Sequence, residues 1–277
     1  MVTRIAVLQM NSGIDPQANA RAMVQGVETA AAGGAAMMFT PEMSGLLDQD
    51  RSRAAQHILP EAGHPVLEAV CDAARSHGIW VAIGSLAIAG DGDDTRSANR
   101  AFVIDGAGSV VARYDKMHMF DVALDNGESW RESRAYRPGD GVVTADTPVG
   151  RLGLSICYDI RFPALYDALG REGCDVIAIP AAFTRPTGRD HWHVLQRARA
   201  IESSCYVVSA AQVGEHEDGR KTFGHSLVVD PWGEVLLDMG AEGPGIGFAD
   251  IDMERITKVR RQIPSLANRR PVSISGT

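Results

Sequence analysis

The sequence predicts a layered α/β protein, because short apolar runs typical of strands alternate with segments of helical periodicity. Most of these runs are continuously apolar rather than alternating, which is typical of strands covered on both faces. The composition, with 45% hydrophobic and 22% charged residues, is ordinary for a globular chain. A chain of this length buries roughly three quarters of its unfolded surface. We therefore expect mixed sheets covered by helices.

Nine strands are predicted from the apolar runs. They lie at 4–10, 36–42, 79–88, 99–105, 152–159, 175–183, 205–213, 225–230 and 245–252. The stretch "HSLVVDPWGEVLLDMG" at 225–240 is typical of a hairpin, because Pro, Trp and Gly interrupt two apolar runs. Right-handed crossovers are expected between the other strands.

Four helices are predicted between these strands. They run from Pro16 to the glycines at 33–34, over 62–77, from Pro163 to Gly173, and from about Gly188 to Ile201. The first begins at an Asp15-Pro16 pair, which combines an N-cap with a proline suited to the first turn. The second ends at Gly78, a favoured helix stop.

The rest of the chain carries weaker patterns. Residues 115–150 lack periodicity and are predicted to form a long ordered loop of the kind that is often functional. Since composition shifts nowhere sharply, we expect one domain over 1–277. A helix is expected near the C-terminus, and we expect the tail after it (about 260–277) to pack on a partner subunit.

The charge and hydropathy exclude several classes of protein. The formal net charge of −8 gives no electrostatic attraction to nucleic acid or to an anionic membrane. No apolar stretch is long enough for a membrane helix, and "MVTRIAVLQM" is too short for a signal peptide. The sequence therefore predicts a cytoplasmic protein.

The cysteines and histidines predict neither disulfides nor a metal site. The four cysteines are Cys71, Cys157, Cys174 and Cys205, and they form no C-x-x-C motif. We expect Cys71, Cys174 and Cys205 to lie in the core. His191 and His193 are two apart on a predicted helix, so they face different sides and form a poor metal pair.

Cys157 lies where the apolar residues of "GLSICYDIRFP" are followed by polar and charged residues. An apolar strand ends here and a helix begins at Pro163, which is where open α/β sheets place ligand sites. Free cysteines are nevertheless among the most buried residues. The local sequence therefore leaves both a core thiol and a nucleophile open.

A cysteine nucleophile needs a base and a positive field, because an ordinary thiol has a pKa near 8.5. One of the eight histidines, such as His118, could supply the base, and spacing alone does not exclude this. Alternatively, Glu42 ends the strand in "FTPEMSG" and Lys116 follows another in "RYDKMHMFD". A carboxylate beside a lysine in a pocket can take the thiol proton and return it to an amine leaving group. Taken alone, either residue could be a surface charge.

The three segments around Glu42, Lys116 and Cys157, in this order, resemble the Glu-Lys-Cys signature of the carbon-nitrogen hydrolase (nitrilase) superfamily. The resemblance continues through 191–212, 224–235 and 260–271 and covers essentially the whole chain. The chain is most similar to the amidase branch, which acts on deaminated glutathione and on ω-amides of 2-oxo acids. This resemblance implies a four-layer αββα sandwich.

The resemblance also implies roles. Glu42 would be the general base, Lys116 the oxyanion stabiliser and Cys157 the nucleophile that forms a thioester, with the Tyr158 backbone N–H in the oxyanion hole. The family has a second glutamate between the lysine and the cysteine. Glu132 in "WRES" is preferred for it, and Glu128 in "NGES" is the competing candidate.

The implied reaction is hydrolysis of an amide of a small carboxylated substrate, such as deaminated glutathione, with release of ammonia. Water and the amide are the only small-molecule partners, no metal or organic cofactor is needed, and a homodimer or higher homo-oligomer is expected.

A carboxylated substrate calls for a cation in the pocket. Arg161 and Thr187 are the candidate substrate contacts, and Arg185 is a weaker one. Arg161 could instead hold Asp159 in a structural ion pair.

Several alternative functions stay open. They are an ω-amidase on 2-oxo acid amides, an N-carbamoyl amino acid amidohydrolase, a nitrilase, a thioester acyltransferase, and a catalytically silent binding protein on the same fold.

Overall fold

The computed structural model describes residues 2–90, 94–123, 125, 127 and 129–271, and within them two six-stranded sheets lie face to face. The first sheet contains, in spatial order, β16 (Gly245–Asp252), β1 (Val2–Gln9), β2 (Met37–Phe39), β3 (Trp80–Ile88), β4 (Ala98–Ile104) and β5 (Val110–Asp115). The second contains β15 (Val235–Asp238), β14 (Leu227–Val229), β11 (Tyr206–Ser209), β10 (Val176–Ala178), β9 (Gly150–Leu154) and β8 (Thr144–Thr147).

Helices and two short ribbons complete the described fold. The helices are α1 (Pro16–Ala32), α2 (Arg51–Ala55), α3 (Pro65–His77), α4 (Pro163–Arg171), α5 (Arg185–Ser203) and α6 (Met253–Gln262). The ribbons pair β6 (Asp121–Ala123) with β7 (Ser129–Arg131), and β12 (Val213–Glu215) with β13 (Lys221–Phe223). None of the described helices is long and apolar enough to cross a bilayer.

Both sheets follow the same plan. Three neighbouring strands are parallel, β1 to β3 in the first sheet and β9 to β11 in the second, and helices connect them. Antiparallel strands extend each sheet on either side. The predicted mixed sheets and helical crossovers are confirmed, and so is the hairpin at 225–240, which forms β14 and β15.

The apolar residues of β1 show why apolar and polar residues do not alternate along the strands. Ile5 and Val7 face the second sheet in the core between the sheets, whereas Ala6 and Leu8 pack in a separate core against α1 and α3. Successive side chains of a strand point to opposite faces, so a strand between two apolar layers is apolar throughout. The layers therefore follow the order helix, sheet, sheet, helix, with α4 and α5 outside the second sheet, and the expected αββα sandwich is confirmed.

Several sequence expectations need correction. Residues 115–150 do not form one continuous loop, because β6, β7, β8 and a short 3-10 turn lie in this segment. Helix α5 begins at Arg185, three residues before the predicted start. Cys174 and Cys205 are fully buried, as expected, but Cys71 is only partly buried against the α1 and α3 core.

The described part of the C-terminal tail packs on its own chain. Arg269 forms an ion pair with Asp167 on α4 at 3.0 Å, and Leu266 lies beside Gly170 of the same helix. Arg260 binds Asp175 at 3.2 Å. The tail up to residue 271 therefore packs on α4 of its own subunit, the contact with a partner subunit stays a prediction, and 272–277 lie outside the described residues.

Gly84 allows the two sheets to approach each other at one edge. It lies where β3 shifts register against β4. A Cβ at this position would overlap the carbonyl oxygens of Thr40 and Pro41 and the ring of Pro180. The absent side chain thus leaves room for the chain segments that follow β2 and β10 to meet.

Candidate active site

The residues singled out in the sequence follow strand ends at one edge of the facing sheets. Glu42 follows β2 and Cys157 follows β9. Strand β5 is parallel to β3, because both pair antiparallel with β4, so Lys116 leaves the first sheet at the same edge as Glu42. Residues distant in sequence therefore meet where the carboxyl ends of parallel strands converge.

Cys157 opens a short 3-10 turn, Cys157–Arg161, which we call the nucleophile turn. Its φ of 48° lies in the left-handed region, which costs a non-glycine residue about 1–2 kcal/mol. The Cys157 N–H donates to the Pro180 carbonyl over 2.9 Å, so the turn is held against the chain that follows β10. The residue is only 8% exposed, but it lines a cavity, so it borders the cavity at a strand end.

The carboxylate of Asp159 ties the nucleophile turn to the segment that carries Lys116. It is fully buried and accepts hydrogen bonds from the Tyr114 hydroxyl at 2.7 Å, the Ile156 N–H at 2.9 Å and the His118 N–H at 3.0 Å. The His118 ring nitrogen Nδ1 also lies 2.7 Å from it. One carboxylate thus fixes two parts of the site relative to each other.

Lys116 is buried between two glutamates. Its Nζ donates to Glu42 Oε1 at 2.8 Å and to both carboxylate oxygens of Glu132 at 3.0 and 2.9 Å. The side chains of Lys116 and Glu42 are 2% and 6% exposed. Glu132 therefore stands where the second glutamate was expected, while the competing Glu128 lies outside the described residues.

Backbone N–H groups hold both glutamates in place. The Ala182 N–H donates to Glu42 Oε2 at 2.9 Å, and the Phe120 N–H donates to Glu132 Oε2 at 2.6 Å. Such charge-assisted hydrogen bonds are stronger than neutral ones. The orientation of each carboxylate is consequently set by the protein frame as well as by the lysine.

Asn99, which was not among the residues predicted from the sequence, joins the two glutamates directly. Its Nδ2 donates to Glu42 Oε1 at 2.9 Å and to Glu132 Oε1 at 3.2 Å, and the residue is fully buried on β4. The Lys116 N–H in turn donates to the Asn99 carbonyl at 2.9 Å. A polar amide inside the apolar run "NRAFVID" was the signal in the sequence, because buried polar groups need partners.

The charges of the site shift the pKa values of its members in a consistent pattern. Burial lowers the pKa of Lys116, but the charges of Glu132 and Glu42 outweigh it and raise the pKa well above its ordinary value. Burial raises the pKa of Glu42, yet the charge and hydrogen bonds of its neighbours, Lys116 first, bring it below its usual value. Burial and the charge of Glu42 raise the pKa of Cys157. At neutral pH the site therefore holds an ionised carboxylate on Glu42 beside a neutral thiol on Cys157.

A cavity of about 980 Å³ opens over this group of residues, and Tyr158 is part of its wall. Seven of the described lining residues are cationic: Arg51, Lys116, Arg131, Arg134, Arg185, Arg220 and Lys221. Three described lining residues are acidic: Glu42, Asp48 and Glu132. Since the whole chain carries a net charge of −8, this excess of cations indicates a site for an anionic ligand.

The two predicted substrate contacts have different positions. Thr187 lines the cavity, with its hydroxyl 2.8 Å from that of Thr184. Arg161 is not among the described lining residues. Its guanidinium lies over the rings of Phe183 and Tyr158, at 5.3 and 5.9 Å from their centroids, and next to His191. Arg161 therefore packs behind the aromatic wall, and the alternative partner considered for it, Asp159, is held by other groups.

Arg185 and Arg220 are two of the arginines that line the cavity, and contacts with neighbouring residues hold their guanidinium groups. The Arg220 Nε lies 2.9 Å from the buried carboxylate of Asp218, and the guanidinium lies 5.2 Å over the Trp130 ring. Arg185 Nε donates to the Thr222 carbonyl at 3.3 Å. Arg185 was the weaker candidate in the sequence analysis, and Arg220 was not considered there.

The family profile described as "Carbon-nitrogen hydrolase" matches residues 4–261. The chain belongs to the carbon-nitrogen hydrolase family, and the protein is a hydrolase that acts on carbon–nitrogen bonds other than peptide bonds. The resemblance seen in the sequence is thereby confirmed.

Relatives named deaminated glutathione amidase cover nearly the whole chain. The protein of that name from Yersinia enterocolitica is 37% identical over 272 residues, covering 97% of this chain and 93% of the relative. The one from Homo sapiens is 39% identical over 270 residues, covering 96% of this chain and 82% of the relative.

Solved structures show the same fold. The C. elegans NitFhit protein superposes with a TM-score of 0.89 and 36% identity, covering 97% of this chain and 65% of that one. Saccharomyces cerevisiae Nit3, described as a member of branch 10 of the nitrilase superfamily, gives a TM-score of 0.85 and 26% identity, covering 95% and 94%.

Replacing Asn99 by alanine tests the shared amide. Glu42 Oε1 and Glu132 Oε1 keep Lys116 Nζ but lose the Asn99 amide, and a hydrogen bond to a charged group contributes about 1.5–3 kcal/mol. We expect the transition state to bear this loss, which corresponds to about a 10- to 150-fold fall in kcat/KM for amide hydrolysis. Gln196→Ala removes another buried amide away from the cavity and should leave kcat/KM unchanged. Thermal unfolding of both variants separates a loss of stability from a loss of activity. Full activity in Asn99→Ala would contradict this role.

Proposed function

We propose that the protein is a cysteine-dependent amidase that cleaves an amide of a small carboxylated substrate through a thioester on Cys157, with deaminated glutathione as the leading candidate. The observation that supports the chemistry most strongly is the buried Lys116, which contacts Glu42 and Glu132 beside the thiol. The names of the relatives support the substrate.

In the first step, Glu42 removes the thiol proton as the Cys157 sulfur attacks the amide carbon. This assignment is supported by the opposite pKa shifts of the two groups, since Glu42 stays ionised and Cys157 stays protonated until substrate arrives. Proton transfer during attack is general base catalysis rather than use of a preformed thiolate.

The negative charge on the carbonyl oxygen would be stabilised by Lys116 Nζ and the Tyr158 N–H. The three N–H groups of Lys116 already face three carboxylate oxygens. Because Glu132 accepts through both oxygens, one N–H can turn to the oxyanion while Glu132 keeps a hydrogen bond. Glu132 is thus a positioning residue for the lysine.

Collapse of the tetrahedral intermediate breaks the C–N bond, and protonated Glu42 gives its proton to the leaving nitrogen. A thioester then remains on Cys157. Glu42, ionised again, activates a water molecule that attacks the thioester, and the acid leaves as the thiol is reprotonated.

The nature of the leaving group depends on the substrate. Both amide nitrogens of a deaminated glutathione carry substituents, so its cleavage releases an amine fragment, whereas a primary ω-amide releases ammonia. The earlier expectation of ammonia therefore applies only to primary amides. Assays must detect both kinds of product.

The cavity favours a larger anionic substrate over a short nitrile. Its volume of about 980 Å³ is at the upper end of the range for small-molecule sites. Arg220 and Arg185 supply guanidinium groups, which match carboxylates in bidentate geometry. We assign the substrate carboxylate to these two residues, with Thr187 in the same wall.

The substrate assignment is tested with deaminated glutathione, 2-oxoglutaramate, an N-carbamoyl amino acid and a simple nitrile, measuring acid, amine and ammonia. We expect the highest kcat/KM with deaminated glutathione, and an acyl adduct by intact mass that Cys157→Ala lacks.

Arg220→Ala should raise KM for carboxylated substrates about 10- to 100-fold, which corresponds to the free energy of one charged hydrogen bond. Arg189→Ala, an exposed arginine of α5 outside the cavity lining, is the matched control.

Two results would contradict the proposal. Activity confined to the nitrile would reject the amidase assignment. Transfer of the acyl group to an added amine, with no free acid formed, would indicate the thioester acyltransferase instead.

We also infer that the enzyme works in the cytoplasm. All four cysteines are free, and a reducing compartment keeps a nucleophilic thiol available.

A homodimer is proposed on the outer face of α5. Val194 and Ile201 are exposed there, at 67% and 50%, and Trp232 is close by, since its neighbour Gly233 lies against Ile201. Exposed apolar groups of this kind mark interaction surfaces. In light scattering after size exclusion, Ile201→Asp should shift the parent dimer toward monomer, whereas Val111→Asp, at an exposed valine of β5, should not. A monomeric parent would reject the dimer.

A further inference from the structure

Two histidines and an aspartate from three elements converge on the second sheet. His193 lies on α5, His225 precedes β14, and Asp238 ends β15. His193 Nε2 is 3.0 Å from Asp238 Oδ2, and His225 Nδ1 is 2.8 Å from Asp238 Oδ1. One nitrogen of each ring and one carboxylate oxygen all lie within 4.8 Å of one another.

We propose that His193 Nε2, His225 Nδ1 and the Asp238 carboxylate bind a divalent transition-metal ion, of which Zn²⁺ is the leading candidate. Two imidazoles and one carboxylate suit zinc and its first-row neighbours, whereas Mg²⁺ and Ca²⁺ prefer oxygen ligands alone. Donors around a tetrahedral zinc ion are roughly 3.3 Å apart, given zinc–nitrogen bonds near 2 Å. Small side-chain movements would bring the three groups to this spacing.

Hydrogen bonds hold the main chain at His225, the histidine that precedes β14. The His225 N–H donates to the Gly240 carbonyl at 2.8 Å, and the Trp192 indole donates to the His225 carbonyl at 2.8 Å. The His225 ring stacks on Phe223, with centroids 4.4 Å apart and planes 24° apart. The Gly240 N–H donates to Asp238 Oδ1 at 2.9 Å. Two of the three ligands are therefore oriented before any ion binds.

The contacts and the exposure of the three side chains also suit a metal ion. His193 Nε2 and His225 Nδ1 each lie within hydrogen-bond distance of the Asp238 carboxylate, and a bound ion would take the place of the proton in each contact. A neutral imidazole binds metal through one nitrogen and keeps its proton on the other. The side chains are 24–36% exposed, so one side is open for entry of the ion and for water ligands.

The site would be structural, because it lies outside the described lining of the catalytic cavity. A bound ion would join α5 to the β14–β15 hairpin. The first turn of α5 carries Arg185 and Thr187, which do line the cavity. The ion would thus brace the helix that forms part of the substrate wall.

The binding test uses the full chain with Cys157→Ala, because a nucleophilic thiol also binds zinc. After removal of metal with a chelator, Zn²⁺ is titrated by calorimetry and Co²⁺ by visible absorption. We expect one ion per chain and a tetrahedral Co²⁺ spectrum. His193→Ala and Asp238→Asn should each weaken Zn²⁺ binding by at least about 10- to 100-fold. This is the loss seen when a residue that only hydrogen-bonds to a metal ligand is replaced.

A matched control and a stability measurement complete the test. His77→Ala, at an exposed histidine on α3, should bind like the parent. Zn²⁺ should raise the Tm of the parent but not of His193→Ala, while the two unfold alike without metal. Equal Zn²⁺ affinity in parent and His193→Ala would overturn the proposal and leave the three side chains as a hydrogen-bonded cluster only. A failed metal test leaves the amidase proposal untouched, since the two use different residues.

Discussion

The site depends on one buried ammonium group held between two carboxylates. Lys116, Glu42 and Glu132 together carry a net negative charge inside the protein, and burying such charges is costly unless each is paired and hydrogen bonded. The amide of Asn99 and the backbone N–H groups of Ala182 and Phe120 supply the remaining hydrogen bonds. Removing the lysine would leave both carboxylates without a cation, and an uncompensated buried charge costs about 3–5 kcal/mol.

The fold brings these groups together from separate parts of the chain. The first sheet contributes Glu42, Asn99 and Lys116, and the second contributes the nucleophile turn. Gly84 lets the segments after β2 and β10 meet, and the carboxylate of Asp159 ties the two halves of the site together. Because both sheets place parallel strand ends at this edge, the sandwich presents the Glu42 carboxylate and the Cys157 thiol to the same cavity.

The sequence predicted the layers and the three central residues, but not the groups that position them. Continuous apolar runs revealed strands with two covered faces, and the order of Glu42, Lys116 and Cys157 carried the resemblance. Short ribbons such as β6 and β7 have only three residues each, too few for a periodic pattern.

Contacts between distant segments could not be derived from local patterns. The role of Asn99 and the position of Arg161 behind aromatic rings depend on how strands and loops come together. The start of α5 could have been predicted from the sequence, because Pro186 lies in its first turn, where proline is favoured. From the sequence, His193 was assessed as a metal ligand only together with His191, two residues away. Its contact with Asp238, 45 residues further along the chain, is visible only in the structure.

The most direct test of the central claim is the ionisation of the Cys157 thiol in the free enzyme. The ultraviolet absorbance of thiolate is titrated with pH in the protein and in Cys157→Ser, and the difference is assigned to Cys157. Burial and the charge of Glu42 raise the pKa of this thiol, so we predict no thiolate signal from Cys157 up to and beyond the ordinary thiol pKa of about 8.5. A thiolate at neutral pH would contradict the account, because it would mean that Lys116 pairs with the sulfur and that Glu42 is not the base.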